Sequence, residues 1–396
     1  MLSKDKQICV VIDFENLNTN FITNEYTYNK LQSYFKNLIF INCKFINEKP
    51  HLISPEIKKK LKKFKLKWPK SEKEFLNCFK DKKTVVINSV PKSFGYLNVF
   101  FLLNKIYVKQ IVISNLGQIQ GSWSNLKRKL SLSYLFILLN NKFCPIIITL
   151  LSNIGIVPKI DIRFYSNKNY LKSINKSNIK NFLYKKNFFY TKKIVPINSK
   201  FYDEYSEKKI KLSHKYITHL DADLNYRHKI DKNKKYEKET IDKHYFFLNN
   251  FLKNLQKTFK KKVIVSIHPN YNQKFIERKF KNFKVIKYQT RKLIQNSFIV
   301  TDFGSSSILD AIILKKNIIT LFSPFIKYDN NVYSSSLNLF KYNIINKIDF
   351  TKSSLLKNLR IKKNNYNILL NSKHSISKKK GYNIIIKEIN NLLKVM

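Results

Sequence analysis

The sequence predicts an α/β fold divided into two domains. Short apolar runs of strand length alternate with amphipathic segments of helical length over most of the 396 residues. That length is sufficient for two domains, each with its own hydrophobic core. Hydrophobic residues make up 43% of the chain and aromatic residues 14%, which favours packed cores over disorder.

The first half of the chain predicts a parallel sheet covered by helices on both faces. Amphipathic stretches such as Gly95–Ile106 and Asn125–Leu139 separate its apolar runs. Strands that alternate with helices pair in parallel, because each connection has to cross over the sheet. The strand candidates are Ile8–Ile12, Leu38–Ile41, Thr84–Asn88, Gln110–Ser114 and Ile160–Phe164.

The same alternation resumes in the second half. Between Asn167 and Lys209 the chain is polar and rich in Asn, Lys and Tyr, so we place the domain junction near the end of this stretch, with domains at 1–205 and 206–396. A long helix is predicted at Thr240–Lys257. The strand candidates are Tyr216–Leu220, Val263–Ile267, Val285–Lys287, Phe298–Val300 and Asn317–Leu321.

Three other segments have distinctive patterns. After Pro324 the pattern is irregular up to a last helix, Lys378–Val395, which we expect to pack back against the first domain. The lysine-rich segment Lys58–Lys70 predicts an exposed basic helix. The apolar segment Tyr134–Pro158 is interrupted by polar residues and proline, which predicts two short helices. These two helices either form a buried pair or insert shallowly into the inner leaflet of a membrane.

The net charge of +51 leaves two interpretations open. The chain has 76 Lys and Arg residues against 25 Asp and Glu, an excess that suits a polyanion such as nucleic acid or an anionic lipid surface. Alternatively, an AT-rich coding sequence would produce abundant Lys, Asn and Ile with little Gly and Ala. The lysines are spread over the whole chain and are not gathered in one arm.

The cysteines favour a reducing, cytoplasmic environment. Cys9, Cys43, Cys78 and Cys144 are isolated from one another and form no CxxC pair. The first apolar run is too short for the core of a signal peptide. We expect a cytoplasmic protein, with peripheral binding to the inner face of the cytoplasmic membrane as the alternative.

A run of three serines marks a candidate phosphate-binding site. The segment FIVTDFGSSSILDAIIL predicts a strand, a tight turn containing Gly304, and a helix that begins near Ser305 or Ser306. Hydroxyl groups and the free N–H groups of a first helical turn bind phosphate, assisted by the helix dipole. Gly304 is one of only six glycines in the chain, which indicates a backbone requirement. An ordinary cap is the alternative, although it would not require Ser307 as a third serine.

Other polar residues follow neighbouring predicted strands. Pro269 holds His268 in an extended conformation directly after a strand, so that the imidazole projects from the sheet edge. There it can donate to a phosphate or protonate a leaving group. Thr290 follows the next strand along the chain. Open α/β sheets bind ligands beyond the carboxyl ends of their strands, so these residues join the serines in one candidate site.

Carboxylates that follow strands are candidate general bases. Asp221 comes directly after Tyr216–Leu220, and His228 lies seven residues further on. Asp13 and Glu15 occupy the equivalent strand end in the first domain. A carboxylate in either place can accept the proton of an acceptor hydroxyl. A helix or turn cap is the structural alternative for each of them.

Several common catalytic motifs are absent from the sequence. It contains no GxGxxG, Walker A, HExxH or GxSxG motif, which argues against a common NAD enzyme, a P-loop NTPase, a zincin or an α/β-hydrolase. It has no His/Cys cluster with metal-ligand spacing and no RNP-type aromatic motif. We therefore expect neither a bound metal nor a nucleic-acid partner.

The His268-Pro269 and Ser305-Ser306 elements resemble the carboxy-terminal half of bacterial glycosyltransferases with the GT-B fold. The resemblance is closest to enzymes of capsule and other surface-polysaccharide synthesis, including polysialyltransferases and teichoic acid glycerophosphotransferases, and covers about Lys215 to Pro324. It implies two Rossmann-like domains with a cleft between them. In those families the matching residues contact the donor phosphates, so the resemblance implies this role for His268, Pro269, Ser305, Ser306 and Ser307. A further element, KYITHLDADLNYRH, resembles a segment of surface-carbohydrate proteins and matches Asp221 and His228.

The resemblance also implies a reaction. A nucleotide-activated sugar or polyol phosphate would bind the second domain, with Asp310 as the carboxylate nearest the nucleotide. A growing glycan or lipid-linked acceptor would approach over the first domain. A basic environment would balance the charge of the leaving nucleotide, so no metal or other cofactor is expected. Two alternatives stay open: a nucleotide-sugar 2-epimerase, which shares this architecture, and a non-enzymatic polyanion binder suggested by the net charge.

Overall fold

The structure, a computed structural model, shows two compact units. The first contains the described residues up to Glu204 and those from Ser372 onward, and the second contains Tyr205–Asn371. Each unit is built around one sheet. The described residues are 6–12, 17–36, 38–43, 59, 61–80, 82–90, 94–106, 108–114, 144–166, 191–207, 212–221, 238–267, 273–303, 305, 307–325, 339–346, 351–373 and 377–396.

Strands and helices alternate along both units. The described strands are β1 Lys6–Ile12, β2 Leu38–Asn42, β3 Lys65–Lys67, β4 Lys83–Ser89, β5 Lys109–Ser114, β6 Ile160–Tyr165, β7 Thr191–Pro196, β8 Tyr216–Leu220, β9 Val263–Ile267, β10 Lys284–Lys287, β11 Ser297–Asp302, β12 Asn317–Phe322 and β13 Phe340–Asn343. The described α-helices are α1 Leu17–Tyr34, α2 Glu72–Asn77, α3 Leu97–Lys105, α4 Cys144–Asn153, α5 Lys200–Glu207, α6 Lys238–Phe259, α7 Gln273–Lys279, α8 Thr290–Gln295, α9 Ile308–Ile313, α10 Lys352–Lys373 and α11 Gly381–Lys394.

The first unit contains a seven-stranded sheet in the order β3-β2-β1-β4-β5-β6-β7. All of its described pairings are parallel. Along β1, Ile8, Val10 and Ile12 belong to one apolar cluster, whereas Cys9 and Val11 belong to another on the opposite face. The sheet is therefore covered on both faces, and burial raises the pKa of the Cys9 thiol to about 12.

The second unit contains a six-stranded parallel sheet in the order β10-β9-β8-β11-β12-β13. The long helix α6 buries Ile241, Tyr245, Leu248 and Leu252 at spacings of three and four residues, as expected for an amphipathic helix lying on a sheet. These two parallel sheets with their covering helices confirm the predicted α/β class with two Rossmann-like domains.

A buried lysine connects the amino ends of strands in the second sheet. Lys316 directly precedes β12, and its Nζ donates to the carbonyl oxygens of Gln295 at 2.6 Å and Ser297 at 2.8 Å. Burial, with a smaller contribution from Lys363, lowers the pKa of Lys316 to about 8. The Lys316 side chain thus stabilises the fold, because it donates hydrogen bonds to backbone carbonyl oxygens where β11 begins.

The last helix, α11, packs within the first unit. Ile385 and Leu393 join the apolar cluster that contains β1. At the start of α11, the Asp203 carboxylate accepts hydrogen bonds from the Gly381 N–H and, at 2.9 Å, from the side-chain amide of Asn198. A Cβ atom at Gly381 would lie 2.9 Å from that carboxylate, so the close approach requires glycine.

Several segments differ from the sequence-based predictions. A basic helix was expected over Lys58–Lys70, but Lys65–Lys67 forms β3, in which Leu66 contacts the core between two lysines. The polar stretch before residue 209 contains β7 and α5, and the irregular region after Pro324 contains β13 and α10. Helix α10 buries Leu355, Leu359 and Tyr366 among many polar residues, which conceals its periodicity.

The apolar segment Tyr134–Pro158 is described only from residue 144 onward, where it forms α4. The helix predicted at Asn125–Leu139 lies outside the described residues. Among the helices in the described part of the chain, none combines the length and apolar content required to cross a bilayer.

Replacing Asp203 with alanine is expected to destabilise the first unit by about 1–3 kcal/mol, because the buried Gly381 N–H loses its acceptor and the Asn198 amide keeps only the carbonyl oxygens of Ser377 and Lys379. Urea unfolding followed by circular dichroism measures the change. Asp203→Asn retains one acceptor oxygen and should cost less. Equal stability of Asp203→Ala and the wild type would contradict this role.

Candidate functional site

The candidate site lies at the carboxyl edge of the second sheet. Strands β9, β8 and β11 are neighbours, and Leu220 near the end of β8 pairs with Ser266 on one side and Asp302 on the other. Asp221 therefore follows β8 between the ends of two flanking strands, and its N–H donates to the Ser266 carbonyl oxygen at 3.0 Å. This edge of a parallel sheet is where ligands bind.

The serine segment forms a turn held by its own polar groups. The Asp302 carboxylate accepts a hydrogen bond from the Ser305 N–H at 2.7 Å, and the Ser305 hydroxyl accepts one from the Ser307 N–H at 3.2 Å. Helix α9 begins at Ile308, later than the predicted start near Ser305 or Ser306, and the Ser307 side chain makes no capping hydrogen bond. The two described serines therefore differ in role, since Ser305 shapes the turn and Ser307 ends it.

A cationic side chain lies next to this turn. Asp310, which is 5% exposed in α9, has its Oδ2 3.7 Å from the Nε of Arg291 in α8. Helix α8 thus brings a guanidinium group to the helix that follows the serines. Arginine is well suited to phosphate because its donors are fixed in a planar fork. The sequence analysis missed Arg291, because the proximity of α8 and α9 has no local sequence signal.

Thr290 lies where α8 begins, close to the end of β9. Its Oγ1 is 2.8 Å from the Oγ of Ser266, a side chain that is buried in β9. This contact joins the start of α8 to the sheet, so Thr290 helps to position the neighbouring Arg291.

A buried histidine lies beneath Asp221. His219 is 0% exposed in β8, and its Nδ1 is 2.9 Å from the Thr301 hydroxyl of β11. Its Nε2 is 3.8 Å from Asp221 Oδ1. Within the described residues, neither His219 Nε2 nor Asp221 Oδ2 has a hydrogen-bond partner. A polar residue that faces inward from an apolar strand is the signal by which the sequence could have identified His219.

A second buried histidine adds to this network. The Nδ1 of His244, in α6, is 3.1 Å from the Ser323 hydroxyl beyond β12, and its ring packs edge-on against Phe303. Burial, together with the nearby His219, lowers the pKa of His244 to about 3. His244 is therefore a neutral group near physiological pH. It continues the apolar spacing of Ile241, Tyr245 and Leu248, which was the available sequence signal.

The structure places five of the predicted site residues and leaves the others undescribed. Asp221, Thr290, Ser305, Ser307 and Asp310 follow the carboxyl ends of strands in the second sheet. The remaining candidates, Asp13, Glu15, His228, His268, Pro269, Gly304 and Ser306, lie outside the described residues. No group of three or more His, Cys, Asp or Glu side chains in the described part of the chain is arranged to hold a metal ion.

The buried neutral state of His244 predicts a loss of stability in acid. The folded pKa of about 3 lies below the usual histidine pKa of 6.5, so the unfolded chain binds the proton first as the pH falls. For each unit by which the pH falls between these two pKa values, His244 should therefore lower the free energy of unfolding by up to about 1.4 kcal/mol.

His244→Asn keeps a polar group near Ser323 but cannot titrate, so its stability should fall less steeply with decreasing pH. Urea unfolding at a series of pH values measures the slopes. Ser323→Ala, which retains the imidazole, should keep the wild-type slope. Parallel curves for the wild type and His244→Asn would show that His244 does not contribute to the pH dependence of the free energy of unfolding.

Comparison with known proteins identifies the fold. No protein-family model and no curated protein matches the sequence. A variant of the wall teichoic acid polymerase TagF soaked with CDPG aligns with 99% of this chain and 91% of its own, with a TM-score of 0.57 and 14% identity. Another TagF structure aligns with 99% of this chain and 90% of its own, with a TM-score of 0.54 and 14% identity. At this identity the likeness shows the fold alone, which is an α/β architecture with two Rossmann-like domains.

Proposed function

We propose that this protein is a glycosyltransferase that takes a sugar or polyol phosphate from a nucleotide-activated donor and adds it to a bacterial surface polysaccharide or its lipid-linked precursor. The observation that carries the proposal is the convergence of the Asp302–Ser305 turn, Arg291 and Asp221 at the carboxyl edge of one parallel sheet. The likeness of the fold to TagF supports the choice of a polymer-building transferase.

The donor phosphates are proposed to bind beside the serine turn. Asp302 and Ser305 hold the turn through two hydrogen bonds, so its conformation is preorganised before a ligand arrives. His268 and Ser306, which lie outside the described residues, are the other proposed contacts. Arg291, whose side chain is one-third exposed, lies beside Asp310 of α9 and supplies positive charge.

Transfer of a sugar requires one bond to form and one to break. The acceptor hydroxyl oxygen attacks the anomeric carbon, and the bond from that carbon to the donor phosphate oxygen breaks. Its electron pair leaves with the nucleoside diphosphate. We propose that a carboxylate, Asp221 in the second domain or Asp13 or Glu15 in the first, accepts the hydroxyl proton.

The charge of the leaving group is proposed to be balanced by protein cations rather than by a metal ion or other cofactor. The developing charge falls on phosphate oxygens, and a fixed guanidinium such as that of Arg291 stabilises it without reorganisation. His268 is the proposed second donor to these oxygens. The proposed location is the cytoplasm or the inner surface of the cytoplasmic membrane, where nucleotide-activated donors and lipid-linked acceptors meet.

Donor binding provides the first test. The wild type should bind at least one nucleotide-activated sugar or polyol phosphate from a panel, as measured by calorimetry, and Arg291→Gln should weaken binding about tenfold through loss of a charge-assisted contact. His268→Ala and Ser306→Ala should also weaken it. Arg360→Gln, an exposed arginine in α10, is the matched control.

Product analysis completes this test. Release of free nucleotide together with acceptor elongation supports a transferase, whereas conversion of the free nucleotide sugar without acceptor would indicate an epimerase. The proposal fails if the wild type binds no donor in the panel, or if the arginine, histidine and serine variants all bind as the wild type does.

His219 is proposed as a positioning residue for Asp221. Asparagine at this position keeps an amide near Thr301 but presents nothing to Asp221, whereas glutamine presents its amide where Nε2 lies. We expect His219→Asn to lower kcat about tenfold or more with little change in KM, and His219→Gln to stay nearer the wild type. The opposite ranking would assign His219 only to the contact with Thr301.

A further inference from the structure

Lysines mark the amino ends of the strands in the first sheet. Because its described pairings are all parallel, these strands begin at the same edge. A lysine lies at the first residue of each strand or within two residues of it. These lysines, which we call the lysine edge, are Lys6, Lys36, Lys65, Lys83, Lys109, Lys159 and Lys192.

The lysine edge runs across the full width of the sheet. The six spacings between seven strands make it about 29 Å long. Lys6 and Lys83 are direct cross-strand partners, an arrangement that disfavours folding through repulsion. Lys36, Lys83 and Lys159 are exposed to solvent. An anionic partner that covers the edge would relieve the repulsion.

Carboxylates balance one end of the lysine edge. Lys192 pairs with Asp161 and Lys193 pairs with Glu388, each at 2.8 Å, and both pairs involve β7 at the border of the sheet. These pairs leave the unbalanced positive charge on the other six strands, from β3 to the start of β6 in the order of the sheet.

Large apolar side chains are exposed at the same edge. Helix α4 and the turn that leads into β6 expose Leu150 by 58%, Ile154 by 68% and Ile156 by 46%. We call these three residues the apolar tip. Gly155, with φ of 81°, forms the turn between the two isoleucines.

The apolar tip is fixed beside the lysines. The Asn104 side-chain amide, near the end of α3, donates to the Gly155 carbonyl oxygen at 3.0 Å. The exposed Lys105 follows Asn104, and Lys159 follows the turn immediately before β6. Cations therefore flank the three aliphatic side chains on two sides.

We propose that the lysine edge and the apolar tip together form a docking surface for an anionic lipid bilayer. Lysines near an anionic leaflet gain electrostatic attraction, while aliphatic side chains gain by entering the boundary between headgroups and acyl chains. A nucleic acid or another soluble polyanion would satisfy the lysines but leave the apolar tip in water. The combination of both features thus favours lipid, and it does not depend on the reaction that the protein catalyses.

Vesicle co-sedimentation tests the proposal. At physiological salt the wild type should bind phosphatidylcholine vesicles that contain about one-third phosphatidylglycerol, and it should bind pure phosphatidylcholine much more weakly. Lys105→Glu/Lys159→Glu and, separately, Ile154→Ser/Ile156→Ser should each reduce partitioning about tenfold or more. Circular dichroism checks that each variant is folded.

Matched controls in the second unit keep the test specific. Lys352→Glu/Lys357→Glu changes the net charge by the same amount as Lys105→Glu/Lys159→Glu. Ile345→Ser/Ile361→Ser replaces two other exposed isoleucines. Both should partition as the wild type does. The proposal is overturned if the wild type shows no preference for anionic vesicles, or if controls and edge variants lose binding equally. Vesicle binding that is unaffected by Ile154→Ser/Ile156→Ser would likewise overturn it, because a soluble polyanion such as heparin would then suit the lysines equally well.

Discussion

Parallel strand pairing is the constraint on which the other features of this protein depend. In each sheet it places every strand start at one edge and every strand end at the other. The residues that follow the strands of the second sheet therefore converge on a candidate site, although they are far apart in sequence. In the first sheet the same rule gathers dispersed lysines into one band. Neither arrangement needs a long-range sequence motif.

Polar groups buried beneath the candidate site are organised differently from the charges on the surface. His219, Thr301, His244 and Ser323 come from two strands, a helix and the segment after β12, and they contact one another in two pairs. Burial keeps His244 neutral, so this histidine adds hydrogen-bonding capacity without adding charge. Arg291, whose guanidinium lies beside Asp310, instead comes from the short and partly exposed helix α8.

The sequence predicted the central strands well and missed three of the four strands at sheet borders, for a physical reason. A central parallel strand is buried on both faces and reads as a continuous apolar run, which is why Tyr216–Leu220 and Val263–Ile267 were predicted with the observed bounds. The missed strands β3, β7 and β13 all lie at sheet borders. Border strands are less buried and tolerate lysine, so their patterns resemble loops or basic helices.

Burial and turn formation are local properties of a sequence pattern. The pattern was therefore enough to predict the α/β class, the order of the central strands along the chain, and the position of Asp221 and the serines after strand ends. Which residues became neighbours depended on how the chain folds. The tertiary structure brought Arg291 to Asp310, set His219 beside Asp221, and aligned the lysines along one edge. These contacts depend on strand order and on helix packing, which the periodicity of a single segment does not encode.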